Sequence, residues 1–600
     1  MSEGAVGGPP NDRRISRRSF LRYSAATGAA AAAVAPGVAS AQARAAERSS
    51  QGVAVPDFEW DEVTIAELQR AMESGGNSSR RIVQDFIERI DQIDLHGPRL
   101  NSVIETNPDA LAIADELDRE RRGGHVRGPL HGIPILLKDN VATDDRMETT
   151  AGSLALLGSR PPRDAFIARR LREAGAVILG KTNLSEWANF RSFQSSSGWS
   201  GRAGQCLNPY VLDHNPSGSS SGSGAAVAAS LAAAAIGTET DGSITAPASA
   251  TSVVGLKPTL GLASRSGIIP IAHSQDTAGP MARTVEDAAI VLGAITGVDT
   301  RDPVTKRSVG NVYLNYRRFL DPNGLRGARI GVWRQGNFGF SPEADAIVEG
   351  AIERIRGLGA EIVDPANIPN IDEMFGAEFT VLLYEFKADI RAYLSELRNT
   401  RMRTLRDLIN FNESHERAEM RWFGQELFHL SQTFGPLTEP AYLEALATSK
   451  RLARQGIDGV MDRHNLDAIV HPISGPPWTT DLVNGDHFFF IAGTGPAAIA
   501  GYPHINVPAG YSHRHLPVGI SFTGRAWSEP VLLTCAYAFE QAATVRHAPR
   551  FLRSLGIEDF VPRAGRRLGT DDVPAASSGS TTSPQQVPSN RRASARPSLL

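Results

Sequence analysis

The spacing of apolar and polar positions along the 600-residue chain predicts helices alternating with strands buried on both faces. Thr64 with Glu67 reads as a capping box opening a helix with Ile65, Leu68 and Met72 on one face. A second helix is predicted from about Ser78, where Ile82, Val83, Phe86, Ile87 and Ile90 repeat at helical spacing. The unbroken apolar run 133–137 reads as a doubly buried strand, the segments 176–181, 253–256 and 466–470 also read as strands, and the core continues through 516–522. Helical patterns also cover 164–174, 388–397, 405–409 and 530–543. Residues 311–448 are richer in Arg, Glu and aromatics, and suggest a helical insertion or a cap facing the substrate.

One stretch, residues 215–260, organises the rest. It holds two Ser/Gly clusters, Gly218-Ser219-Ser220-Ser221-Gly222 and Asp241-Gly242-Ser243, separated by the alanine-rich run 225–235. Alanine loses no side-chain entropy in a helix, so this run predicts a helix holding two serine-bearing loops apart. Gly/Ser clusters are more often linkers. Here they flank an apolar segment and run into Val253-Val254-Gly255-Leu256, which a solvated linker would leave in water. No Gly-Lys-Ser/Thr follows the glycines, so a phosphate-cradling loop is a weak reading.

Composition narrows the function. With 41% hydrophobic residues the chain can bury a large core, and length alone would allow three or four domains. A formal net charge of -3 gives no reason to propose nucleic acid or an anionic membrane as partner. Cys206 and Cys535 cannot form a disulfide framework; one bridge is conceivable, but Cys535 sits in an apolar run and reads as a buried free thiol. The fourteen histidines show no metal-ligand spacing, and His513-Arg514-His515 reads as a solvated loop.

At the N-terminus, Arg17-Arg18 with following apolar residues, an alanine-rich run and Ala39-Ser40-Ala41 resemble a twin-arginine export signal over 1–41. Residues 42–57 read as a linker, 58–565 as the globular domain and 566–600 as a disordered tail. No later run approaches the roughly 18 apolar residues of a membrane span. The expectation is an exported protein, periplasmic or extracellular, with the twin-arginine machinery as partner and no stable membrane span after processing.

A serine needs a base to become a nucleophile. Gly218–Gly222 matches a Gly-x-Ser-x-Gly elbow with Ser220 as nucleophile, but that motif needs a strand upstream, and residues 210–216 make a poor one. The competing constellation has Ser243 attacking while Ser219 passes its proton to Lys138, at the end of the apolar run 133–137. Lys138 must then be neutral; moving its pKa from about 10.4 towards 7 or 8 costs on the order of 4 kcal/mol, which burial can supply. The backbone of Thr240, Asp241, Gly242 and Ser243 would offer an oxyanion hole. Spacing alone does not choose Lys138 over Lys257.

Gly218-Ser219-Ser220, the run from Gly237 through Asp241-Gly242-Ser243-Ile244, and Val254-Gly255-Leu256-Lys257-Pro258-Thr259 together resemble the amidase signature family. So do Asp276-Thr277-Ala278-Gly279-Pro280 and Gly501-Tyr502-Pro503, and the resemblance spans roughly 58–551. Ser219 and Ser243 are 24 residues apart (243 minus 219), the separation of that family's catalytic serines. The resemblance implies one large α/β domain, a mixed sheet covered on both faces by helices. It implies Ser243 as nucleophile, Ser219 and Lys138 as proton relay, Ser220 in support, Lys257 as structural, and a cis Gly218–Ser219 bond. It implies no metal or organic cofactor.

Many members carry arginine where this chain has Thr245, and loss of that partner for a carboxylate argues for a neutral amide substrate. Glu-Thr-Asp-Gly-Ser-Ile, with residues 185–190 and 484–488, is most similar to the peptide amidase subgroup, which removes C-terminal amides from peptides. The resulting expectation is an amidohydrolase acting on the C-terminal amide of peptides. The alternatives are a small aryl or alkyl amide amidase or esterase, a non-catalytic binding protein, or an amidotransferase-type subunit.

Overall fold

The strand Pro134–Lys138 buries all five of its side chains, as an apolar run inside a sheet covered on both faces must. The computed structural model describes residues 52–487 and 493–556. The segments 1–41 and 566–600 lie outside them. In chain order the strands are β1 (Val103–Thr106), β2 (Pro134–Lys138), β3 (Val177–Thr182), β4 (Trp199–Ser200), β5 (Gly204–Gln205), β6 (Ala234–Glu239), β7 (Val254–Lys257), β8 (Thr277–Ala282), β9 (Arg329–Val332), β10 (Glu361–Val363), β11 (Ala468–Pro472), β12 (His504–Ser512) and β13 (Leu516–Thr523).

β4 and β5 form a separate ribbon, and the other eleven make one sheet in the order β1-β3-β2-β6-β8-β7-β12-β13-β11-β9-β10. The sheet is mixed: β2 runs parallel to β3 and β6, β9 to β10 and β11, and the remaining pairs are antiparallel. Every residue of β3, β6, β7, β8, β11 and β13 is buried, so both faces are covered by helices and loops. Residues 52–555 gather into one compact unit, not the several domains that length alone allowed. Among the described residues no helix is long and apolar enough to cross a membrane.

The first two predicted helices form as read. Ile65–Glu73 carries the Thr64/Glu67 capping box and buries Ile65, Leu68 and Met72. Ser79–Ile90 is capped by Ser78 and buries Ile82, Val83, Phe86 and Ile90.

Three expectations are corrected. The alanine run is not one helix: Ser221–Ala228 is helical, Ser230 turns at φ 56, and Ala234 and Ala235 enter β6. Pairing with β2 on one side and β8 on the other outweighs alanine's helix preference of a few tenths of a kcal/mol per residue. Residues 311–448 are not wholly helical, because β9 and β10 pair onto the sheet from within them. Residues 52–57, read as linker, belong to the fold: Val53 N–H donates to Phe551 C=O at 3.0 Å, and Pro56 C=O accepts from Arg89 at 3.0 Å. Such pairing between distant segments leaves no periodic trace.

The long helix Ile371–Glu396 sits over the serine-bearing loops. Its Leu382, Phe386, Ile390 and Leu394 share an apolar cluster with Trp187, Phe190, Leu408 and Phe428. Burying each such side chain stabilises by about 1.5–3 kcal/mol, enough to fix the helix over the site.

Candidate active site

Lys138 ends β2 with no exposed surface. Its Nζ donates to Ser219 Oγ at 2.8 Å, Ser220 Oγ at 3.1 Å and Thr238 Oγ1 at 3.0 Å, with Thr238 C=O at 3.3 Å. Burial pushes the ammonium down to about 7, opposed by the charges of Asp276 and Glu239. Lys181 and Lys257 are equally buried, but Lys181 donates to Val141 C=O and Thr149 Oγ1, and Lys257 to the carbonyls of Pro258 and Tyr502. Of the three, Lys138 is the one that touches serine hydroxyls.

The helix-turn-strand path from Ser221 to Glu239 folds the two Ser/Gly clusters onto each other. Ser220 N–H donates to Ser243 C=O at 3.1 Å, and Ser220 Oγ bridges the Thr238 backbone. Ser219 and Ser243 both line one cavity of about 150 Å³. The Gly218–Ser219 bond is cis. Residue 218 is tightly enclosed: a Cβ there would lie 2.2 Å from Ser185 Oγ and would have to displace that hydroxyl. No strand runs directly into Ser220, and among the described residues no hydrogen bond joins a histidine to Ser219, Ser220 or Ser243, so the elbow alternative finds no base here.

Residues 240–243 form a turn in which Gly242 takes φ +74, a conformation glycine adopts freely. Among the described residues, no hydrogen bond occupies the N–H groups of Asp241, Gly242 or Ser243. The turn is held from several sides. Asp276 accepts from Thr240 Oγ1 at 2.5 Å, Gln275 donates to Thr240 C=O at 3.3 Å, and Glu239 accepts from the Ile244 and Thr245 N–H groups. Thr245 is buried against Glu239 and does not line the cavity, whose ionisable lining residues are Asp241, Glu378 and Asp486.

Phe190, Ile271, Phe375, Phe379, Leu382 and Trp478 supply apolar walls, and Phe375, Phe379 and Leu382 come from Ile371–Glu396, inside the stretch read as a cap. Several contributors lie in or beside the sequence motifs, which assign them no role. Thr238 and Asn140 complete the lysine's surroundings. Trp187, Ala188 and Asn189 take φ of 52, 55 and 73, a left-handed turn costing roughly 1–2 kcal/mol per residue, and Ala188 and Asn189 line the cavity. Outside the cavity, His273, Glu385 and Asp389 cluster, but His273 bonds Asp389 at 2.9 Å and Glu385 accepts from Tyr442 and the Ser274 N–H, so they satisfy one another.

Known proteins resemble this chain in sequence and in fold. A family model described as Amidase matches residues 81–533, and one described as a twin-arginine translocation pathway signal sequence matches residues 14–34. A probable amidase of Arabidopsis thaliana is 43% identical over 503 residues, covering 82% of this chain and 93% of that one. The native peptide amidase from Stenotrophomonas maltophilia is similar in structure, with TM-score 0.79 and 50% identity, over 82% of this chain and 100% of that one. A glutamyl-tRNA(Gln) amidotransferase subunit from Halorhodospira halophila is 36% identical over 493 residues, 80% of this chain and 96% of that one.

Proposed function

The chain belongs to the amidase family, and we propose that it hydrolyses a carboxamide to acid and ammonia by a Ser-Ser-Lys acyl-enzyme route, acting on the C-terminal amide of peptides. The observation that carries the reading is the 2.8 Å contact from a fully buried Lys138 to Ser219 Oγ, beside Ser243. With its pKa brought down to about 7, the lysine has a substantial neutral population near pH 7 that can take a proton.

Ser243 Oγ attacks the amide carbon while its proton passes to Ser219 and from Ser219 to Lys138. The developing oxyanion takes the free N–H groups of Asp241, Gly242 and Ser243, each such donor being worth about 2.7–4 kcal/mol. Collapse breaks the C–N bond, and the proton returns through Ser219 to the departing ammonia. Water then enters by the same relay, cleaves the Ser243 ester and releases the acid.

Apolar walls and the lack of a lysine or arginine lining the cavity favour an amide without a nearby carboxylate. Similarity to a peptide amidase supports a peptide amide as the acyl group. The signal at 14–34 supports export, and we place the enzyme in the periplasm or outside the cell. A transamidation enzyme built from several chains would work in the cytoplasm, which export does not suit.

Ammonia release from a panel of neutral amides, including amidated peptides, tests the reading. The wild type should turn over, and Ser243→Ala and Lys138→Ala should not. Near-normal activity in Lys138→Ala would overturn the mechanism.

A further inference from the structure

Three carboxyl groups line the catalytic cavity; Asp486 accepts from Ser197 N–H and Oγ, and among the described residues Glu378 and Asp241 join no ion pair. Glu378, on the cap helix Ile371–Glu396, lines the cavity at 5% exposure, and its Oε1 accepts from Gln275 Nε2 at 2.7 Å. Asp241 lines the same cavity from the oxyanion turn, bonds Thr494, and keeps Oδ1 buried without a partner. Lys257, whose charge reaches Asp241, is engaged by the carbonyls of Pro258 and Tyr502. Burial pushes Glu378 well above the usual carboxylate range, with the charge of Asp241 adding to it, and burial pushes Asp241 up to about 7.

A third group points the same way. Ser474, just after β11, is 8% exposed, lines the cavity, and has an unpartnered Oγ. Buried polar atoms are ordinarily satisfied, so an orphan hydroxyl on the same cavity as two carboxyls outside any ion pair marks a place for a ligand that donates hydrogen bonds. Burial holds these acids towards their protonated form, and a cation placed between them would bring them back to carboxylates and pair with that charge. Aromatic neighbours Phe375 and Phe379 suit the methylenes and charge of an organic cation.

We propose that Glu378, Asp241 and Ser474 form a subsite for a positively charged nitrogen, an ammonium or guanidinium, carried by the acyl part of the substrate. Glu378 is then a specificity-determining residue. Gln275 braces it to the oxyanion turn, since the same Nε2 that donates to Glu378 also donates to Thr240 C=O. This inference rests on the amidase reading above and deepens it.

Two matched pairs of amides test it and separate the sources of the cation. Leucinamide against N-acetyl-leucinamide asks about an α-ammonium; N-acetyl-lysinamide against N-acetyl-norleucinamide asks about a side-chain ammonium. In at least one pair the wild type should prefer the cationic member by about ten-fold in kcat/KM, and Glu378→Gln should erase that ratio. Equal rates within both pairs, or a preference that survives Glu378→Gln, overturn the subsite while leaving the amidase reading standing. Ammonia from none of the four, nor from amidated peptides, sinks both. Should Glu378→Gln fail to fold, inhibition of the wild type decides: pentylammonium should compete about ten-fold more tightly than pentanol, and equal inhibition overturns the proposal.

Discussion

Glu239 Oε1 lies 2.7 Å from His504 Nε2, and neither side chain is exposed. Burial alone would raise the Glu239 carboxyl, but His504, Lys257 and the Ile244 N–H outweigh it and bring it down to about 2. The same carboxylate holds the N–H groups of Ile244 and Thr245, directly after the proposed nucleophile. Glu239→Gln should lower stability by roughly 3–5 kcal/mol, because it leaves the remaining buried groups mismatched, and should slow turnover at least ten-fold. A carboxyl depressed below its unfolded value of 4.5 contributes stability that is complete above that pH and is lost as pH falls towards 2. Thermal unfolding of both proteins from pH about 6 down to about 3 checks this: the difference between them should shrink in acid.

The pH dependence of kcat/KM should report Lys138. Its neutral form is the base, so activity should rise with pH through about 7 and level off above it. Lys138→Arg keeps the charge but cannot lose its proton, and should reduce kcat by about 10³ or more. A wild-type profile flat across neutral pH would remove lysine from the mechanism.

Ser243 and Ser219 should fail differently. Ser243→Ala removes the atom that carries the acyl group and should abolish turnover, whereas Ser219→Ala removes a proton relay and should cost about 10²–10⁴ in kcat. Mass spectrometry of acid-quenched enzyme with a slowly deacylated substrate should find the acyl adduct on the Ser243 peptide. An adduct on Ser219 or Ser220 would reverse the assignment.

The two cysteines should be silent. Cys206 and Cys535 are buried and free, and burial pushes both thiols up, Cys535 to about 12. Thiolate is the reactive form, so iodoacetamide and reducing agents should leave native activity unchanged. Stoichiometric inactivation by iodoacetamide would point to a thiol that the Ser-Ser-Lys route does not use.

Arg191 should tie the cap to the site. It is fully buried between Glu186 and Glu419, and Glu419 lies in the short helix Glu416–Glu419 of the cap region. Arg191→Met would leave two buried acids without their cation and should cost roughly 3–5 kcal/mol. Because Glu186 immediately precedes the Trp187–Asn189 turn at the cavity wall, KM should rise as well. An unchanged Tm would show the pair to be dispensable.

The chain's local physics was legible from its order of residues. Capping at Thr64 and Ser78, the helical stripe from Ile82 to Ile90, and the buried strand ending in Lys138 each depend on neighbours within about one helical turn or one strand, so composition and spacing determine them. The Ser/Gly clusters and their resemblance to a known family likewise pointed to Ser219, Ser243 and Lys138.

What only the tertiary structure decided involves partners far apart in the chain. Alanine 234 and 235 turned to strand because β2 and β8 flank them, a contact that outweighs local preference. The family resemblance preferred Lys138 to Lys257, but the contacts that tell them apart, Lys138 onto Ser219 81 positions away and Lys257 onto Tyr502 C=O, exist only in the folded chain. Gln275 joins Glu378 across 103 positions, and His504 meets Glu239 across 265. Periodicity carries no information about such pairs, because they are selected by burial and hydrogen-bond satisfaction in three dimensions and not by spacing along the chain.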